Sequence, residues 1–191
     1  MTEVRTDRLL LRPMVPGDAE DPWPVFSDPA IWWYDPEGVH RDLARTRAYC
    51  ASAGSRWSVH GLSYWTVRLL ATEEVVGSGG VQVHGTGEWN LNYRLARAHH
   101  GEGYATELGR AALAAAAEHD PTRPVVAWID AVNTPSIAVA TRLGLLDRGL
   151  RTASLDDVAR HGYADRPLDD VTWPRVRHTA PGTPGEDPLR A

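Results

Sequence analysis

Between Ser63 and Leu95 apolar and polar positions alternate with period two, three times in succession. Trp65, Val67 and Leu69 alternate with Tyr64, Thr66 and Arg68; Val75, Val81 and Val83 with Ser78, Gln82 and His84; and Trp89, Leu91, Tyr93 and Leu95 with Glu88, Asn90, Asn92 and Arg94. That rhythm predicts half-buried strands. The short turns Thr72-Glu73-Glu74 and Gly85-Thr86-Gly87 join them into an antiparallel meander. Upstream, Thr6 to Pro13 carries a short apolar run closed by proline, which predicts a first or edge strand. Asp18 opens a weak helical stretch to about Ser27, interrupted by Pro22 and Pro24, and Val39 to Ala53 predicts a firmer helix with Gly54 as its stop.

After the meander the chain reads Arg97-Ala98-His99-His100-Gly101-Glu102-Gly103 and enters a helix, Tyr104 to His119, with Tyr104, Leu108, Ala111, Ala112 and Ala115 as its apolar stripe. Val125 to Ile129 is a continuous apolar run of strand length, reached through a βαβ-like crossover and ended by Asp130. Asn133-Thr134-Pro135-Ser136 has the form of a helix start, and Gly144 is placed to end that helix near Leu143. Leu145 to Arg151 and Val171 to Arg177 read as two last strands, separated by a polar loop from Thr152 to Leu168. No internal repeat is visible. At 191 residues the chain has room for a single domain, placed at 6–177, with a Pro/Gly-rich tail over 178–191 expected to be disordered.

Composition narrows the function. Hydrophobic residues are 42% and charged residues 24%, an ordinary globular balance. The longest apolar run, Ala111 to Ala117, is far short of the ~20 residues a membrane helix needs, and no basic segment precedes an apolar one at Met1. A soluble, cytoplasmic protein without a membrane partner is expected, as a monomer or homodimer. Cys50 is the single cysteine, which excludes an internal disulfide and any cysteine-based metal site. The net charge of −5 argues against a nucleic-acid partner, since phosphate binding needs a basic face. All 20 basic residues are arginine, so within this chain the terminal α-amine is the sole aliphatic amine.

The stretch His100-Gly101-Glu102-Gly103-Tyr104-Ala105 joins a strand to a helix. Its amides converge where the helix dipole is positive, a geometry that suits a diphosphate; taken alone, a glycine pair of this kind also suits an ordinary turn. The glycines admit close approach of the ligand, and Ala105 keeps the first turn free of bulk. A dinucleotide fingerprint is excluded by context: its third glycine position is Thr106, and the preceding strand belongs to an antiparallel meander.

This loop, with Thr106-Glu107 after it, resembles the R/Q-x-x-G-x-G/A pyrophosphate loop of the GNAT superfamily of acetyl-CoA-dependent N-acetyltransferases. T-D-R-L-L-L-R-P at the N-terminus, and N-x-x-S at Asn133 and Ser136 followed by R-L-G-L ending at Leu145, resemble the subgroup of ribosomal-protein N-terminal acetyltransferases of the RimJ/RimL type. The chain departs from the pattern at His100, in place of Arg or Gln. Ala140 stands where many members carry a tyrosine that protonates the departing thiolate, and Leu145 replaces a common phenylalanine.

The resemblance implies an α/β (α+β) GNAT fold, a mixed, mostly antiparallel sheet of six or seven strands flanked by helices, splayed between the fourth strand, Glu88 to Leu95, and the fifth, Val125 to Ile129. It implies acetyl-CoA as co-substrate and no metal. Backbone groups of Tyr93, Leu95 and Arg97 would pair with pantetheine, and His100, Gly101, Glu102, Gly103, Tyr104, Ala105 and Thr106 would meet the diphosphate. Asn133 would hold the pantetheine arm and Ser136 would supply the thiolate's proton; equally, Asn133 and Ser136 suit a helix cap and first turn. Acetyl transfer needs a neutral amine, a polarised carbonyl and a proton for the leaving thiolate. Glu88 is the best carboxylate for a base, with Asn90 and Asn92 to hold a water, or else these residues form a solvated strand face. Trp32, Trp33, Tyr34 and Asp35 either line the acceptor site, as aromatic faces beside a carboxylate for a cationic amine, or anchor helices to the sheet. The function expected is acetyl transfer to a primary amine, a protein N-terminus or a small molecule. The alternative is an acyl-CoA-binding module that has lost the chemistry along with the tyrosine at position 140.

Overall fold

A computed structural model describes residues 3–152 and 158–176. The expected tail, and Arg177 before it, lie outside the described residues. Eight strands form one sheet: β1 (Val4–Arg5), β2 (Leu9–Pro13), β3 (Tyr64–Leu69), β4 (Val75–Val83), β5 (Trp89–Leu95), β6 (Val125–Ile129), β7 (Leu146–Thr152) and β8 (Ala159–Ala164). They run in the order β1-β2-β3-β4-β5-β6-β8-β7, with β5 and β6 the one parallel pair. The helices are α1 (Trp23–Phe26), α2 (Leu43–His60), α3 (Tyr104–His119) and α4 (Thr134–Arg142), with 3₁₀ turns at Pro16–Glu20, Pro36–Gly38 and Arg97–His99. Among the described residues no helix is long and apolar enough to cross a membrane.

The meander forms as its alternation requires, with β3 pairing β4 and β4 pairing β5 over seven register positions from Gly77↔Leu95 to Val83↔Trp89. Its inner face makes the main core with α3: Trp65, Val67, Val81, Trp89, Leu91 and Leu95 pack with Leu108, Ala112 and Ala116. Close approach of α3 depends on Gly79, where a Cβ would lie 2.7 Å from both Leu108 Cδ2 and Tyr93 Cβ.

Four expectations need correction. The second helix runs through Gly54 to His60, because Gly54 lies against Met14 and Pro16, where a flat surface is an asset; the stop is Gly61, in the left-handed region at φ 70°. At its start Asp42 caps Arg45 N at 2.9 Å, a contact that stabilises by about 1 kcal/mol. The loop expected over 152–168 contains β8, which lacks an apolar alternation because Gly162 stands where the Trp128 ring packs across from β6. Conversely, Val171 to Arg177 forms no named strand among its described residues. Asp169 Oδ1 accepts from the amides of Val171 and Thr172, turning the chain so that Trp173 is buried, and only Arg175 bridges to Arg151. With β1 and β8 added, the sheet has eight strands where six or seven were expected.

Two smaller clusters fix what lies over the outer face of the sheet. Met14, Ala19, Cys50, Ala53 and Tyr64 seat α2. Val25, Phe26, Ile31 and Trp32 seat the aromatic loop, with Trp32 Nε1 donating to Phe26 O at 2.8 Å and His40 stacked on Phe26 at 4.7 Å. Burial pushes the Cys50 thiol up to about 12, so this cysteine is a packing residue without nucleophilic character at neutral pH.

Candidate active site

The parallel pair β5 and β6 is held at only two positions, Trp89↔Val125 and Asn90↔Val126. Beyond them β6 stays with β8, and β5 runs on without that neighbour, so a wedge opens from Leu91 onward. Two cavities occupy it. The larger, about 610 Å³, follows the end of β5 under Ile31 and Trp33, along His99 to Thr106, to the first turn of α4. The smaller, about 260 Å³, lies between the strands and is bounded by Leu91, Asn92, Trp128, Asp35 and Asp130. Tyr34, Tyr93, Asn133 and Ser136 line both, so the two spaces join at these four side chains.

The glycine loop forms one wall of the larger cavity. Gly101 and Gly103 have φ of 84° and 86°, left-handed conformations that other residues adopt with strain. The amides of Gly101 to Ala105 meet no backbone carbonyl among the described residues, whereas those of Thr106 and Glu107 both bond to Gly103 O. Five consecutive donors at the start of a 16-residue helix form a ready anion site. The loop is fastened from below by residues that sequence reading did not assign to the site. Arg8 donates from Nη1 to Glu102 O at 2.9 Å and from Nε to Glu107 Oε2 at 2.7 Å, and lies over the Tyr104 ring at 4.5 Å; Thr6 Oγ1 donates to Glu107 Oε1 at 2.6 Å. Burial works against the Glu107 charge, but the bonds from Thr6 and Arg8 outweigh it and hold its carboxyl below the usual range.

Of the residues expected along β5, Tyr93 and Leu95 line the larger cavity. Arg97 does not: the strand ends at Leu95, and Arg97 opens an exposed 3₁₀ turn whose first carbonyl already accepts from His100 N. His100 turns its ring back, with Nε2 2.9 Å from Leu95 O, and so ties the loop to the strand end.

Asn133 makes the helix cap its sequence allowed and also lines the wedge. Its Oδ1 caps α4 by accepting from Ser136 N at 3.3 Å, while the residue faces both cavities and its Nδ2 has no partner among the described residues. Ser136 sits half-buried in the first turn and shares the junction of the two cavities with Tyr93. Burial raises the Tyr93 phenol to about 12, against a lowering influence of the nearby Ser136. Ala140 is buried beneath α4 in the main core.

Glu88 lines neither cavity and is fully buried, so it is neither on a solvated face nor at the wedge. Its Oε1 accepts from Trp128 Nε1 at 2.9 Å and lies 3.1 Å from His84 Nδ1, and its Oε2 accepts from Thr86 Oγ1. Burial alone would raise its carboxyl; the contacts of His84, Thr86, its own backbone and Trp128 overcome this and bring it down to about 2.

The aromatic loop is divided. Trp32 is buried, and its face is covered by the chain's own Arg94, 3.5 Å from the ring centre. Arg94 also donates to Asn92 Oδ1 at 3.2 Å and to the Tyr34 hydroxyl at 3.3 Å. Trp32 is therefore an anchor and has no open face for an acceptor's cation. Trp33 and Tyr34 wall the larger cavity, and Tyr34 and Asp35 the smaller.

A two-cavity wedge of this kind, with a free-amide loop at one end, fits a long thioester with a diphosphate and a second substrate. Residues 8–146 match the family model described as an acetyltransferase (GNAT) domain. The chain belongs to the GNAT acetyltransferase family. It is 30% identical to the uncharacterized Bacillus subtilis protein YkkB over 75% of this chain and 85% of that protein. An acetyltransferase from Agrobacterium tumefaciens superposes with a TM-score of 0.72 at 27% identity, over 85% of this chain and 94% of that one. At 16% identity the chain also shares the fold of the ribosomal-protein acetyltransferase RimL, solved with coenzyme A (TM-score 0.68, 87% of this chain and 98% of that one). The sheet is thus a GNAT sheet, and the chain is an acetyl-CoA-dependent N-acetyltransferase.

Proposed function

We propose that this acetyltransferase moves the acetyl group to a primary amine held in the smaller cavity, with Ser136 protonating the departing thiolate. The observation that carries this reading is the junction of the two cavities at Tyr34, Tyr93, Asn133 and Ser136. In it the diphosphate of acetyl-CoA meets the amides of Gly101 to Ala105, and pantetheine follows the free edge of β5 past Leu95 and Tyr93, with Asn133 Nδ2 as a donor beside it. The thioester carbon then lies at the junction. The amine nitrogen attacks it, forming C–N; nitrogen releases one proton to cavity water as C–S breaks. Sulfur takes the Ser136 hydroxyl proton, and Ser136 recovers one from solvent, leaving an amide and a free thiol.

Glu88 is not a base in this reading, because its oxygens are enclosed and engaged. The carboxylates that face the smaller cavity are Asp35 and Asp130, and they suit an acceptor that arrives as an ammonium and loses its extra proton to cavity water before the neutral nitrogen attacks. The RimJ/RimL likeness in the N-terminal and N-x-x-S motifs makes a protein N-terminus one acceptor to include beside small amines. The test is thiol release with a panel of amines and alcohols. Ser136→Ala is expected to lower turnover at least 10-fold with coenzyme affinity within twofold, because a proton donor acts mainly in the transition state. Unchanged turnover with chemistry limiting would return Ser136 to its helix-start role.

A further inference from the structure

A serine hydroxyl in the first turn of a helix is a poor acid unless something aims it. It has one proton and free rotation, and nearby backbone carbonyls compete for that proton. On α4 itself nothing does this: one helical turn further on, Ala140 is a core residue without a polar atom. A hydroxyl enters the same junction from the facing wall instead. β5 turns Leu91, Tyr93 and Leu95 to the α3 side of the sheet; both leucines are buried in the core, while Tyr93, beside the opened wedge, lines both cavities, as Ser136 does. The phenol stays protonated across the neutral range, so it can always act as donor to a neighbouring hydroxyl. In a pair of hydroxyls the more acidic one, the phenol, is the better donor, which leaves the serine proton unused.

We infer that Tyr93 is a positioning residue for thiol release: its hydroxyl donates to Ser136 Oγ, so that the serine proton points into the junction of the two cavities, at the sulfur of the bound thioester. The phenol keeps its own proton throughout. This deepens the reading of Ser136 as donor and rests on it. It also gives the fold a way to retain a phenol at this step with alanine at position 140, the ring being supplied by the sheet and acting through serine.

The experiment is a double-mutant cycle read by single-turnover acetyl transfer, with coenzyme affinity measured by calorimetry. Tyr93→Phe keeps the ring and its packing and removes one oxygen. It is expected to slow transfer about 5- to 10-fold with coenzyme affinity within twofold, and to cost less than twofold more in a Ser136→Ala background. A cost equal in both backgrounds would mean that Tyr93 acts independently of Ser136 and would overturn the inference. So would a neutral Tyr93→Phe beside a slow Ser136→Ala, which leaves the serine in place as donor. A neutral Ser136→Ala removes the donor reading itself and the inference with it, an outcome distinct from the other two. A merely structural tyrosine would lower coenzyme affinity and transfer together.

Discussion

Glu88 illustrates how far one residue can be read from its neighbours in sequence. Alternation correctly puts Glu88, Asn90, Asn92 and Arg94 on one face of a strand, but period two says nothing about what covers that face. Here Trp32 and Tyr34 cover its Arg94 end, and Trp128, with Trp173 bonded to Thr86 at 3.1 Å, encloses the Glu88 end. The carboxylate becomes the centre of a buried network that holds Trp128, one wall of the smaller cavity. A carboxyl held at about 2 when folded, against 4.5 in its ordinary state, stabilises the fold fully above about pH 4.5 and loses that contribution as the pH falls toward 2. The shift corresponds to a stabilisation on the order of 3 kcal/mol. Glu88→Gln is therefore expected to lower the melting temperature at pH 7, with the gap from the parent closing on acidification through that window. Below its melting temperature the variant should retain most of its kcat. Parallel melting curves at every pH, or a thousandfold loss of kcat in a folded variant, would refute this.

At the scale of elements, the loop and the helix behind it were the most legible part of the chain. Tyr104 to His119 is the helix its pattern predicts, and Gly103 sits at its N-cap. What the sequence could not display is that two separate motifs are one contact. The T-D-R segment and the Thr106-Glu107 pair stand 99 residues apart in the Arg8–Glu107 bond, and they meet because β2 runs beside the start of α3. Arg8 holds Glu102 O and Glu107 together and thereby fixes the curvature that aims the loop amides. An exposed ion pair adds little to global stability, so its effect should appear in binding. Arg8→Ala is expected to weaken acetyl-CoA about 10-fold with a melting temperature within a few degrees of the parent; a stability loss with unchanged affinity would make the contact purely structural. Gly103→Asp should abolish binding in a folded protein, since it adds strain at φ 86° and a negative charge where the diphosphate sits. Calorimetric titration decides both variants, and parent-like binding by the aspartate variant would remove the loop assignment.

For the whole molecule, order and direction of the central strands followed from patterning, whereas the far edge of the sheet did not. β8 reads as loop because its residues are chosen to fit Trp128 and the 168–173 segment across space, and no local rhythm records that. The smaller cavity, proposed above for the acceptor, is built on this less legible side, between β5 and β6 and beside Arg160 of β8, which explains why the glycine loop was readable and this cavity was not. Its chemistry is nevertheless testable through charge. In the proposed reading, a net charge of −5, with Asp35 and Asp130 beside one arginine, Arg160, on a cavity of about 260 Å³, would draw ammonium acceptors both at a distance and at contact. At saturating acetyl-CoA, KM for a cationic amine is expected to rise several-fold between 50 mM and about 500 mM salt, where the screening length falls below the width of the site. Asp130→Asn should raise the same KM with little change in kcat. Because all 20 basic residues are arginine, the protein itself should gain at most one amide-linked acetyl group, so intact-mass measurement reads acceptor labelling without self-labelling at lysine. A salt-independent KM that also ignores Asp130→Asn, or labelling confined to hydroxyl groups of neutral acceptors, would exclude an ammonium-binding cavity even if coenzyme turnover were fast.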